Sequence, residues 1–300
     1  MQRTDQAANL RKMMQSPPPV AEHAMPVSSA SLYTIAVTGG KGGVGKTNIA
    51  VNLALAMTQL GAKVGILDAD LGLANVDVVL RLNPRYTLKH VIAGERTIEE
   101  VIVKGPLGLS VIPASSGIQA LANLPDAERR LLIEELGCLS GILDVLIVDT
   151  PAGIGDNVMS FVMAADEILV ITTSDPPAYT DAYALIKIIS QHGVRRIHLA
   201  VNMVRSVNEA RDVAEILQKV AKQFQLNIKG ISFAGYLPYE VKFRDALRGR
   251  TPLILEYPDA RSTKCIQLLA KRMLSIGQQR PKGKDFFADV EMFQSGRKNG

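Results

Sequence analysis

Three hundred residues with 47% hydrophobic content suffice for one large α/β domain or two small ones. No window approaches the roughly 18 uninterrupted apolar residues of a spanning helix, and the first residues lack an apolar leader core, so neither a membrane span nor a secretory signal is expected. The isolated Cys138 and Cys265 argue against metal or redox work and fit a reducing cytoplasm, and the net charge of +5 leaves room for an anionic partner.

In chain order, residues 1–15 carry a short amphipathic pattern. Thr4 or Asp5 can cap it, and Ala7, Leu10 and Met14 share a face. A helix this short is marginal without a partner surface. Pro17–Pro19 stop it and open a flexible linker over 16–30. The run Tyr33–Thr38 reads as a buried strand, and Asn48–Met57 as a helix. Strands are expected at 63–68, 109–113, 145–149, 167–172, 197–202 and 230–237. Helical patterns fall at 76–80, 87–103, 126–136, 179–190 and 209–224. Apolar strands alternating with helices predict an α/β fold, a doubly wound, mostly parallel sheet with helices on both faces, spanning residues 31–276. Functional residues then belong at strand C-terminal ends. Asp68, Asp70, Asp149, Asn202 and Pro238 lie there. The four histidines show no ligand spacing.

Between the first strand and the first helix stands Gly39-Gly40-Lys41-Gly42-Gly43-Val44-Gly45-Lys46-Thr47. Gly40, Gly45, Lys46 and Thr47 satisfy G-x-x-x-x-G-K-[ST] in the strand–loop–helix setting that a phosphate-binding loop requires. Glycines let backbone N–H groups turn toward phosphate oxygens, and the helix N-terminus adds partial positive charge. Lys46 would reach the β- and γ-phosphates of the nucleotide, and the Thr47 hydroxyl would sit on Mg²⁺. Asp149, ending a fully apolar strand, is the candidate Mg²⁺ acid, with Asp68 in the metal's outer shell. Asp70 is the candidate for orienting the attacking water. Asn75 and Asp77 have a simpler reading as caps of the helix at 76–80.

The extra lysine, Lys41, is not required by the ordinary motif. K-G-G-V-G-K-T resembles the deviant Walker A loop of the MinD/ParA ATPases. D-A-D-L-G-L-A-N-V-D from Asp68 and D-T-P-A-G from Asp149 resemble that family's two switches. The resemblance implies ATP and Mg²⁺ as ligands and a homodimer glued by ATP, with Lys41 crossing to the partner's nucleotide. It also implies Asn202 at the adenine edge and the segment from Leu237-Pro238 over the base. No N-K-x-D guanine motif is present. Two flanks narrow the resemblance. D-Q-A-x-x-L-R, from Asp5 to Arg11, is similar to the activator helix of the FlhG family of flagellar-number regulators, which implies that Gln6 stimulates an FlhF-type, signal-recognition-like GTPase. Flagellar switch and transcription-regulator proteins are further candidate partners. In the tail, 277–300, Phe286, Phe287, Val290 and Phe293 suit an interfacial anchor on the inner face of the cytoplasmic membrane, although Asp285, Asp289 and Glu291 would be repelled by anionic lipid. The alternative is a helix docked on the protein's own surface. The expected protein is thus a cytoplasmic, peripherally membrane-bound ATP hydrolase. MinD-like cell-division or ParA-like DNA-partition roles remain open. Nucleic acid is the less favoured partner, although the basic stretch 241–272, read as two amphipathic helices, would serve DNA phosphates.

Overall fold

A computed structural model describes residues 32–69, 76–113, 126–193, 195–279 and 286–295. Its centre is an eight-stranded sheet in the order β3-β4-β2-β5-β1-β6-β7-β8. The strands are β1 (Tyr33–Thr38), β2 (Val64–Asp68), β3 (Val103–Lys104), β4 (Ser110–Ile112), β5 (Val145–Asp149), β6 (Glu167–Thr173), β7 (Arg195–Val204) and β8 (Ile228–Pro238). Every pairing is parallel except that of the edge strand β3 with β4. The doubly wound expectation is met.

Alternation along each strand builds two cores. Ile35, Val37, Val145, Ile147, Leu169 and Ile171 face one side, and Ala36, Leu146, Val148, Ile168 and Val170 face the other. Against the first side lie α1 (Lys46–Gln59), α2 (Val76–Leu80), α10 (Val241–Arg248), α11 (Leu253–Glu256) and α12 (Arg261–Gln278). The second side takes α3 (Leu88–Ile92), α4 (Ile98–Val101), α5 (Asp126–Gly137), α6 (Leu139–Ile142), α7 (Asp156–Ala164), α8 (Pro176–His192), α9 (Val207–Gln223) and α13 (Phe286–Ser295). Helix α1 is buried from Ile49 through Met57. It therefore uses small residues, Ala50, Ala54 and Ala56, and satisfies its one buried amide locally. Asn52 donates to the Asn48 carbonyl at 2.7 Å and accepts the Ile254 N–H at 2.9 Å, which ties α11 to it.

Where the chain enters and leaves the core, it touches itself. Tyr33 donates its hydroxyl to the Met273 carbonyl at 3.0 Å. Gly277 lies flat on the Tyr33 ring, where a Cβ would meet ring carbons at 2.5–2.9 Å.

Of the two readings of the tail, helix α13 has the docked one in this structure: the side chains suited to lipid face the protein. Phe286 is 4%, Phe287 4% and Val290 3% exposed, packed into the core beside α7, and Phe293 is partly buried there. The Phe286 and Phe161 rings stack at 6.4 Å, Phe286 meets Phe287 edge-on at 4.9 Å, and Phe293 meets His192 at 5.2 Å. The reason is area: each such side chain gains about 1.5–3 kcal/mol by leaving water, and α7 offers apolar surface within reach. Among the described residues no helix is long and apolar enough to cross a membrane. Residues 1–31, with Gln6, and residues 70–75, with Asp70, lie outside the described residues.

Candidate nucleotide-binding site

The loop leaves β1 at the point where chain connections diverge. From β1 the chain crosses to β2 on one side, and from the adjacent β6 it goes to β7 on the other, so a crevice opens above their C-terminal ends. Four of the five glycines there have a local reason. Gly43 (φ 81°) and Gly45 (φ 93°) are left-handed. A Cβ on Gly39 would meet the Ile171 carbonyl at 2.7 Å, and one on Gly40 would collide with the Asp181 backbone on α8. Val44 is buried and Lys46 is 8% exposed, whereas Lys41, Gly42 and Gly43 form the exposed tip. Thr47 is half-buried on the first turn of α1. One lysine of the loop therefore points within the protomer and the other stands at its surface.

Beside the loop, β2 and β5 run in register so that Asp68 and Asp149 are direct partners at neighbouring strand ends. Adjacent strands lie about 4.8 Å apart, so two carboxylates stand side by side with little water: Asp149 is fully buried and Asp68 is 6% exposed. Such a pair favours a cation between or above it. Among the described residues no group of three or more His, Cys, Asp or Glu forms a self-sufficient cage. Mg²⁺ is commonly held by one or two carboxylates together with substrate phosphates, a donor set to which Asp68 and Asp149 could contribute. Asp68 also accepts the Val76 N–H at 3.1 Å, spanning the first switch. In the second switch, Thr150 N–H and hydroxyl both reach the Val37 carbonyl at 3.1 Å. Left-handed Gly153 (φ 104°) donates its N–H to the Gly39 carbonyl at 3.3 Å, tying this switch to the phosphate loop.

Asn202, at 2% exposure, occupies the far wall. Its Nδ2 donates to the Val44 carbonyl at 2.9 Å, and its Oδ1 accepts the Met203 N–H at 2.9 Å. It lies so close to Gly45 that a Cβ there would meet Nδ2 at 2.5 Å. Its duty in this structure is thus to brace the loop. Pro238 is buried at the end of β8, and Tyr239 beyond it is exposed.

A brace behind Pro238 has no sequence motif. The fully buried Ser262 hydroxyl lies 3.1 Å from the Pro238 carbonyl and 2.9 Å from Glu240 Oε2, which also accepts the Ser262 N–H at 3.0 Å. Burial pushes the Glu240 carboxyl up, but hydrogen bonds from Ser262 and Arg261 and the field of Lys242 outweigh it and hold the group below its ordinary 4.5. A depressed value stabilises the fold above pH 4.5, and that contribution is lost as pH falls through the depressed value. Losing the hydrogen bonds from Ser262, Glu240→Ala should cost about 1 kcal/mol at neutral pH, with the deficit shrinking as pH falls below 4.5 in denaturant titrations.

The comparisons agree with this geometry. A family model described as an AAA domain matches residues 32–203, and one described as NUBPL iron-transfer P-loop NTPase matches 133–274. Antiactivator FleN of Pseudomonas aeruginosa is 44% identical over 243 residues, covering 81% of this chain and 86% of FleN. Flagellum site-determining protein YlxH of Helicobacter pylori is 44% identical over 189 residues, covering 63% and 64%. Among solved structures, the MinC:MinD cell division complex of Aquifex aeolicus superposes with a TM-score of 0.65 at 27% identity, covering 84% of this chain and 99% of that one. A phosphate loop with two lysines, paired switch acids and these relatives converge: the chain belongs to the MinD/ParA family of P-loop ATPases, on the branch of the flagellar regulators FleN and YlxH.

Proposed function

We propose that this ATPase is a dimerising switch that sets flagellar number or placement. The observation that carries the reading is the pair of lysines in one loop, Lys46 buried against its own protomer and Lys41 exposed at the tip. Lys46 neutralises the β- and γ-phosphates of the bound ATP, and Lys41 reaches the phosphates of a second copy. Gly40, Gly42, Gly43, Val44 and Gly45 supply backbone donors, and Asn202 and Pro238 border the base end. Mg²⁺, held by Thr47 and through water by Asp68 and Asp149, would supply the charge neutralisation that phosphoryl transfer to water needs. Asp70 orients that water, and turnover is slow because hydrolysis serves to reset the dimer. Size measurement in solution tests this. Asp70→Ala should give an ATP-dependent dimer, and Lys41→Ala should bind ATP yet stay monomeric. A monomer under all nucleotide conditions would sink the reading.

The same reading places α13 on anionic membrane when ATP dimers form, since two short helices on one dimer add by avidity. It assigns residues 1–15 to a partner GTPase of the FlhF type, where the Gln6 carboxamide orients the attacking water. A synthetic peptide of residues 1–20 should raise that GTPase's turnover, and Gln6→Ala should remove most of the gain. Equal stimulation by protein lacking its first 20 residues would exclude this role.

A further inference from the structure

Helices α2 and α10 present a surface that the nucleotide chemistry does not use. Helix α10 turns Phe243 and Ala246 into the core and leaves Val241, Lys242, Arg244, Leu247 and Arg248 exposed, with Arg250 in the turn beyond. Arg81, just past α2, donates from Nε to the Arg250 carbonyl at 3.1 Å and from Nη2 to the Gly249 carbonyl. Those carbonyls follow the last turn of α10, where a cation also complements the helix dipole. Arg81 (φ 53°) and Arg250 (φ 50°) are both left-handed, a conformation that side-chain-bearing residues rarely adopt, so the junction has one specified shape. The surface carries five cations, Arg81, Lys242, Arg244, Arg248 and Arg250, against three acids, Asp77, Asp245 and, beside Lys242, Glu240. Val78 (47% exposed), Val241 (54%) and Leu247 (38%) lie among them.

We propose that this surface docks an acidic amphipathic segment of a partner protein, its carboxylates on the guanidinium groups and its apolar side chains on Val78, Val241 and Leu247. Four of the five cations are arginines, whose planar fork matches carboxylates and which are enriched at protein interfaces. A lipid surface fits less well. Phe243 and Ala246 of α10 belong to the core on one face of the sheet, and Phe286, Phe287 and Val290 of α13 to the core on the other. A membrane meeting α13 would lie across the sheet from α10. A nucleic-acid backbone would leave the three aliphatic side chains without a partner. The surface stands whether or not the nucleotide reading holds.

The test places a photo-activatable phenylalanine at Leu247, and in a parallel strain at Val241, of the full-length protein in its own cells. Irradiation should attach a protein whose cross-linked peptide alternates Asp or Glu with apolar residues. Arg244→Ser with Arg248→Ser should cut the yield about fivefold or more, in line with the loss of two charge-assisted contacts. ATP binding by the same variants should be unchanged, which separates loss of the surface from loss of the fold or of the nucleotide site. Cross-links to lipid or nucleic acid, to a peptide without acids, or to nothing from either position would overturn the proposal, as would a yield indifferent to the arginines.

Discussion

Lys46→Ala should abolish ATP binding and turnover while leaving the fold intact. Truncating one partner of a desolvated, hydrogen-bonded charge pair costs about 2–5 kcal/mol, which is roughly 30- to 4,000-fold in affinity. Lys46 is 8% exposed at the start of α1, whereas the loop's other lysine, Lys41, stands at the exposed tip and is not placed to take over its role within the protomer. Alanine is a good helix former, and circular dichroism should show α1 retained. Micromolar ATP affinity in the variant would remove Lys46 from the site. Asp149→Asn should also lose ATP hydrolysis, because a neutral amide is a poor ligand for the Mg²⁺ that phosphoryl transfer needs. Turnover near the wild-type rate would show that Asp149 has no part in holding the metal.

The second large effect concerns helix α13. Phe161→Ala removes the ring on which Phe286 stacks without changing any residue of α13. Emptying a fully buried aromatic site costs about 3–5 kcal/mol. Much of that loss should be read locally, as faster amide exchange over 156–164 and 286–295. The apolar side chains of α13 remain intact but lose their seat, so sedimentation with anionic vesicles should no longer require ATP. Phe286→Glu makes the complementary case, because it unseats the helix and also spoils its apolar face, so vesicle binding should fall. Vesicle binding by Phe161→Ala that still depends on ATP would mean that the docked helix does not control membrane association.

The periodic parts of this structure were legible in the sequence. Tyr33–Thr38 and Val145–Asp149 are strands with the expected ends because both are short apolar runs bounded by glycine or an acid. The phosphate loop was equally plain, since most of its residues answer a local backbone or charge requirement. The expected single pattern over 87–103 is instead two short helices. Gly94 at φ 70° ends the first, and Thr97 caps the second by accepting the Glu100 N–H. The basic stretch holds three helices rather than two, because Pro252 starts α11 between them. Periodicity reports which residues are apolar and says little about where a glycine or proline cuts the pattern. What stayed hidden joins residues distant in the chain. Asn202 to Val44 spans 158 positions, Arg81 to Gly249 spans 168, and α13 meets α7 across more than a hundred. Such pairings have no local signature, so the apolar stripe at 286–293 fitted lipid or the protein's own surface equally, and nothing in the sequence pointed to Phe161 as its partner.

The seating of Gly277 on the Tyr33 ring makes the two ends of the ATPase core neighbours. Tyr33 begins β1, so this junction lies at the pole of the sheet opposite the phosphate loop. Whatever joins the core before Tyr33 or after Gly277 is therefore anchored at one pole, remote from the nucleotide, and in the proposed dimer two copies could close over their nucleotides with that pole left uncovered.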